Sequence, residues 1–300
     1  MRRFGWLLAL TAVAMAGDIE INGQKALFDV PEGTGPFPLL VHLHSWSATY
    51  NNSSELKEVR AEAARRNWVF LSPDFRGPNN RPEACGSDLA VADIVDAVAY
   101  AKKAAKIDGR RVYLVGGSGG GHMALMMAGR HAKLWTAVSS WVPISDLQAW
   151  HAHSKAKGLR YAQMMEQCCG GPPGAATEAE YKKRSPLTYL AKAKGLPVSI
   201  HVGIHDGHSG SVPVSHSLWA FNVLAAANGK KSAMFGEDEI RHMVEREEVP
   251  AGMRLATPEP GGKFPALLRR EAGAARITVF EGGHATDFAT AVAWLASHVK

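Results

Sequence analysis

The chain has 300 residues, enough for one large domain with a sizeable core. Its 46% hydrophobic and 21% charged content is that of an ordinary globular protein and excludes a disordered or fibrous one. The net charge is +6, but lysine and arginine are scattered in ones and twos with no aromatic-interleaved basic stripe. No nucleic-acid partner is therefore expected.

Residues 1–16 read as a secretory leader. Arg2 and Arg3 precede an apolar run over 4–16, and Ala14-Met15-Ala16 supplies a small-residue cleavage site before Gly17. The run is shorter than the ~20 residues a membrane span needs. No other stretch is long and apolar enough, so stable membrane insertion is not expected. A secreted or periplasmic location is, with 17–300 as a single domain.

Within that domain, residues 18–30 read as a hairpin turning at Asn22-Gly23. A loop over 31–38 leads into a buried strand at 39–44 (LLVHLH). A helix follows at 53–66 and a strand at 69–72, ending in the segment PDFRG. Ser87 or Asp88 caps the next helix. Strands are expected at 112–115, 136–142, 198–204 and 277–280, and helices from 122, over 214–227 and over 285–298. Two insertions, 143–190 and 229–271, interrupt the alternation; they are read as a cap. A Pro/Gly-rich loop is expected at 257–265. Repeated strand–helix alternation with apolar strands indicates a mostly parallel sheet covered by helices on both faces.

The stretch VYLVGGSGGGH (112–122) organises the rest. An apolar strand ends in glycines, Ser118 sits among them, and a helix follows. Gly116, Ser118 and Gly120 match the G-x-S-x-G nucleophile elbow, in which a strained turn lifts a serine above the sheet. A serine hydroxyl needs a base, and the base an orienting acid. Among 13 histidines, His284 follows the last strand and two glycines, the place for the base. His122 is too close along the elbow helix, and His42 and His44 lie upstream. For the acid, Asp206 directly follows strand 198–204; Asp146 is the second choice, and Glu237 and Asp238 lie inside the second insertion. The oxyanion hole needs two backbone donors. Gly119 supplies one; the loop His44-Ser45-Trp46-Ser47 supplies the other, read as Trp46. His201, His205, Asp206 and His208 do not converge as metal ligands, so neither metal nor cofactor is expected.

Three cysteines in an exported chain invite one disulfide, from Cys85 to Cys168 or Cys169.

The elbow, the PDFRG segment and GIHDGHSGSVPVSHS (203–217) resemble α/β-hydrolases of the prolyl-oligopeptidase-like and esterase branch. Gly203, Asp206, Val212 and Pro213 match that branch's G-x-x-D pattern followed by Val-Pro, with extra residues between. The resemblance implies the α/β-hydrolase fold and the triad Ser118, Asp206, His284. Two departures stand out. His44-Ser45 replaces the usual His-Gly of the oxyanion loop, and no N-terminal β-propeller pattern accompanies the hydrolase segment. Trp46, Trp141 and Trp150 are candidate pocket walls, with His151, His153 and Tyr161 nearby; flat aromatics suit sugar rings. No acidic pair that would read a free amino terminus is evident near the expected pocket. The leading expectation is a carboxylic-ester hydrolase acting on a small-molecule or carbohydrate ester. A prolyl-oligopeptidase-like serine peptidase is the alternative, and a hydrolase fold that has lost catalysis and survives as a binding protein is a third. Oligomeric state is not legible.

Overall fold

Asn22 and Gly23 both take positive φ, as a tight hairpin turn requires. They join β1 (Val13–Ile21) to β2 (Gln24–Pro31), with Ile21 opposite Gln24. The computed structural model describes residues 13–255 and 262–300. Of the expected leader, residues 1–12 lie outside the described residues, and 13–16 belong to β1, where Val13, Met15 and Ala16 pair with β2.

The chain continues through β3 (Phe37–Leu43), α1 (Leu56–Arg65), β4 (Val69–Pro73), α2 (Asp88–Ala104), β5 (Ile107–Gly117), α3 (Gly119–Arg130) and β6 (Ala137–Trp141). The first insertion holds α4 (Leu147–Ala156), α5 (Tyr161–Cys169) and α6 (Glu178–Lys183). Then come β7 (Val198–Gly203), α7 (Ser215–Ala227), α8 (Glu237–Arg246), β8 (Ala266–Ala272), β9 (Ala275–Phe280) and α9 (Phe288–Ala296). Among the described residues these strands form one sheet in the order β1-β2-β4-β3-β5-β6-β7-β9-β8. From β4 to β9 the neighbours are parallel; the outer pairings are antiparallel. Helices cover both faces, so β3, β4, β6 and β7 are buried at every position instead of alternating.

Three boundaries differ from the sequence reading. The elbow helix begins at Gly119, because three glycines can enter a helix that lies against other backbone. The last helix begins at Phe288, capped by Asp287, whose carboxylate accepts the Thr290 N–H at 3.0 Å. That leaves His284 in the preceding loop and not at the helix start. The end of the second insertion is β8, an edge strand on β9, not part of a cap. In the expected loop at 257–265, residues 257–261 lie outside the described residues. No helix among the described residues is long and apolar enough to cross a membrane.

Two glycines fix the elbow. A Cβ on Gly116 would lie 2.4 Å from the Gly120 carbonyl oxygen, and one on Gly120 would lie 2.0 Å from that of Leu43. Backbone cannot retreat as a side chain can, so Gly120→Ala should lower stability by about 2–3 kcal/mol. Thermal and denaturant unfolding of this variant beside wild type measures the loss.

Candidate active site

Ser118 joins β5 to α3 at φ 55° and ψ −117°, a conformation that costs a non-glycine residue energy. The strain is held by neighbours. The Ser118 N–H donates to the Trp141 carbonyl at 2.9 Å, and the Ser118 carbonyl accepts the His122 N–H at 2.9 Å. The Ser118 Oγ lies 2.8 Å from His284 Nε2, and His284 Nδ1 lies 2.7 Å from Asp206 Oδ2. A carboxylate only accepts, so Nδ1 carries the imidazole proton and Nε2 is free to accept from the serine hydroxyl. The other oxygen of Asp206 accepts the N–H groups of Gly207 at 3.0 Å and Val212 at 3.1 Å. The buried carboxylate is therefore satisfied on both sides.

The expected oxyanion donors also meet. A Cβ on Gly119 would lie 2.3 Å from the Trp46 backbone nitrogen, so the two amides are adjacent at the N-terminus of α3. His44 pins the Trp46 loop: its ring reaches the Asp74 carbonyl at 2.7 Å and the Ser45 carbonyl at 3.0 Å, and it stacks on Phe75 at 4.0 Å.

The competing residues have other places. Asp146 caps α4 through the Ala149 N–H at 3.0 Å. His122 donates from Nε2 to the Arg184 carbonyl at 2.8 Å, and burial lowers its pKa to about 4. Burial, with the neighbouring His44, lowers His42 to about 3. His205 bridges Glu247 and Glu281 at 2.9 and 2.7 Å, while His201 stacks on Trp141.

The aromatic candidates separate. A cavity of about 290 Å³ opens at Ser118 and His284. Trp46 and Tyr161 line it, and Trp150 stands behind them, edge-on to Trp46 at 4.7 Å. Trp141 is not a wall. Its ring lies 4.0 Å from His201 within the sheet's core, and it contributes only the carbonyl that holds Ser118. From the first insertion Arg160 and Tyr161 reach the cavity; no described residue of the second insertion does.

Glu55 also lines the cavity; in the sequence it falls within the helix expected at 53–66, where nothing singles it out. It is the N-cap of α1, yet its side chain makes no capping hydrogen bond. The carboxylate turns instead toward Gly117, where a Cβ would lie 2.9 Å from Glu55 Oε1. It accepts a short hydrogen bond from Ser53 Oγ. Burial raises its pKa above the ordinary carboxylate value, against the Ser53 bond and the His284 imidazole, which lower it. The available signal was position: loops after parallel strands converge on the C-terminal edge of the sheet, and Glu55 ends such a loop.

The expected disulfide is a correction. Cys85, Cys168 and Cys169 are all buried and free. They sit in a satellite apolar cluster with Trp46, Trp150 and Tyr181, where cysteine packs as a small hydrophobe. Burial pushes the Cys85 thiol well up and Cys169 up to about 12.

The model of the prolyl oligopeptidase family matches residues 60–255. The chain belongs to the prolyl oligopeptidase family. Its fold is the α/β-hydrolase fold. Acylaminoacyl peptidase of Pyrococcus horikoshii is similar over 73% of this chain and 36% of its own, at 18% identity and a TM-score of 0.59. A puromycin-hydrolyzing peptidase of Mycobacterium tuberculosis is similar over 82% of this chain and 40% of its own, at 20% identity and a TM-score of 0.57. Oligopeptidase B of Leishmania major matches over 73% and 31%, at 13% identity and a TM-score of 0.55. At these identities the likeness is one of fold. The chain spans well under half the length of each of these structures. No curated protein matches it.

Two outcomes follow from the buried groups. A raised carboxyl pKa means that the folded state holds its proton more tightly than the unfolded state. Glu55 therefore costs stability as pH rises above the ordinary carboxylate range. Glu55→Gln should melt at a higher temperature than wild type near neutral pH, with the difference shrinking toward about pH 4. The thiols give the second outcome. Without reductant, folded protein should react negligibly with a thiol reagent such as dithionitrobenzoate, and unfolded protein should react at all of Cys85, Cys168 and Cys169.

Proposed function

We propose that this member of the prolyl oligopeptidase family is a serine peptidase, cleaving an amide bond through an acyl-enzyme. The observation that carries the proposal is the continuous hydrogen-bonded line Ser118 Oγ–His284–Asp206 beside two adjacent backbone amides. Membership of a peptidase family favours amide over ester substrates, so the peptidase reading takes precedence over the carboxylic-ester one. The names of the similar structures, all peptidases, point the same way.

In this mechanism Ser118 Oγ bonds to the carbonyl carbon while His284 Nε2 takes the hydroxyl proton. The Gly119 and Trp46 N–H groups receive the charge on the carbonyl oxygen. His284 then gives its proton to the leaving nitrogen, the C–N bond breaks, and an ester to Ser118 remains. Water, deprotonated by the same imidazole, releases the acid. Asp206 keeps the imidazole in one tautomer and balances its charge when protonated. An amine leaves only when protonated, and His284 is placed to deliver that proton.

The arginine pair and apolar run within residues 1–16 support export as a companion proposal, checked by sequencing the amino terminus of protein recovered from the periplasm or medium.

The discriminating experiment measures kcat/KM on nitroanilides of single amino acids and dipeptides beside nitrophenyl esters. Anilide turnover that falls on the order of 10⁴-fold or more in Ser118→Ala and His284→Ala is expected. Asp206→Asn should lose ~10⁴-fold as well, because it favours the wrong tautomer. Ester turnover alone, with no anilide cleaved, would return the carboxylic-ester reading to first place.

A further inference from the structure

His205 stands immediately before Asp206 and outside the cavity wall, and the hydrolytic steps above give it nothing to do. Its ring is held at both nitrogens by carboxylates. Nδ1 lies 2.9 Å from Glu247 Oε2, and Nε2 lies 2.7 Å from Glu281 Oε1. An ionised carboxylate only accepts, so both ring nitrogens must donate, and an imidazole with two N–H groups carries a positive charge. One further ring faces the same group: His208 Nδ1 lies 3.5 Å from the other oxygen of Glu247, while its Nε2 donates to the Val244 carbonyl at 2.6 Å. The bond to Glu281 raises the His205 pKa most, partial burial opposes it, and the bond to Glu247 adds to the rise.

The three groups come from three parts of the site's support. His205 follows β7 and leads into the acid, Asp206. Glu281 follows β9 and stands three residues before the base, His284. Glu247 closes the C-terminal end of α8, in the second insertion, at φ 54°. Backbone pairs the first two loops in the same register: the Ile204 N–H donates to the Phe280 carbonyl at 3.0 Å and the His205 N–H to the Gly282 carbonyl at 2.9 Å, with Glu281 between them. We propose that His205 is a positioning residue: as an imidazolium shared by Glu281 and Glu247, it clamps the loop of Asp206 to the loop of His284 and ties both to the second insertion. The inference rests on the hydrolytic triad but not on the choice between amide and ester. Asp206 to His284 at 2.7 Å and His284 to Ser118 at 2.8 Å must be kept together, and hydrogen bonds weaken steeply off their geometry. Loss of one ring proton turns a nitrogen lone pair toward a carboxylate, so repulsion replaces one of the two bonds and the ring can hold one glutamate but not both. The clamp is therefore complete below the raised His205 pKa and incomplete above it. Because the His205 side chain is 37% exposed, each pair is a modest interaction, and the effect is a several-fold change in rate, not abolition.

The test is the rate constant for fluorophosphonate labelling of Ser118, followed from about pH 6 to about pH 10, which needs an armed serine and no assumed substrate. Wild type, His205→Gln, Glu281→Gln and Glu247→Gln are compared, with thermal unfolding at each pH to show that each is folded. The wild-type rate is expected to rise as His284 loses its proton and then to fall about 3- to 10-fold on the alkaline side. Each glutamate variant removes a charge that favours the imidazolium, so its alkaline fall should begin about one pH unit lower. His205→Gln should be slower by about 3- to 10-fold near neutral pH and show no alkaline fall. An alkaline fall that persists in His205→Gln, or that stays at the wild-type pH in both glutamate variants, would overturn the proposal, since another group would then be titrating. Slowing of His205→Gln with an unchanged pH profile would overturn it too, as a merely structural loss. The two glutamate variants decide the question alone if His205→Gln unfolds. Folded wild type that takes no label at any pH would remove the triad reading itself, and the proposal with it.

Discussion

Backbone packed directly on backbone at the C-terminal end of β5 sets the geometry around Ser118. Gly116 meets Gly120, Gly120 meets Leu43, and Gly119 meets Trp46, in each case closer than a Cβ allows. These contacts hold Ser118 at positive φ with its hydroxyl toward His284. They also bring the loop after β3 against the start of α3, which makes the Gly119 and Trp46 amides neighbours. The nucleophile and the proposed anion site are thus products of one constraint. The wider fold serves it: parallel order places the ends of β3, β5, β7 and β9 side by side, so loops distant in sequence converge.

Two carboxylates at that convergence have opposite electrostatic situations. Asp206 is buried but accepts from two backbone amides and an imidazole, which replace the water it lost. Glu55 has a hydroxyl, its own amide and the field of His284, and its pKa stays raised. The apolar cluster of Trp46, Trp150 and the cysteines works by packing, and it holds the Trp46 loop in place.

The order of Ser118, Asp206 and His284 was legible because each follows a strong strand signal, and strand ends in a parallel sheet must share an edge. The parallel sheet itself was legible from apolar runs with no alternation. Trp141 was misplaced because a strand-end residue can turn toward the sheet's core or toward the cavity, and a shift of one residue reverses the choice. The cysteines were read as a bridge from their number and flanking glycines, whereas helical packing of α5 buries Cys168 and Cys169 as apolar groups. Glu55 was missed because a glutamate at a helix start usually serves the helix, and only the folded position of Gly117 reveals where its carboxylate points. Helix boundaries slipped at α3 and α9, where capping and glycine packing outweigh apolar periodicity.

The most direct test of an armed serine is labelling with a fluorophosphonate probe, followed by peptide mass mapping, on wild type, Ser118→Ala and His284→Ala. Stoichiometric label on Ser118 in wild type, absent from Ser118→Ala and slowed by orders of magnitude in His284→Ala, is the predicted result. Folded wild type that takes no label, or takes it at another residue, would contradict the account.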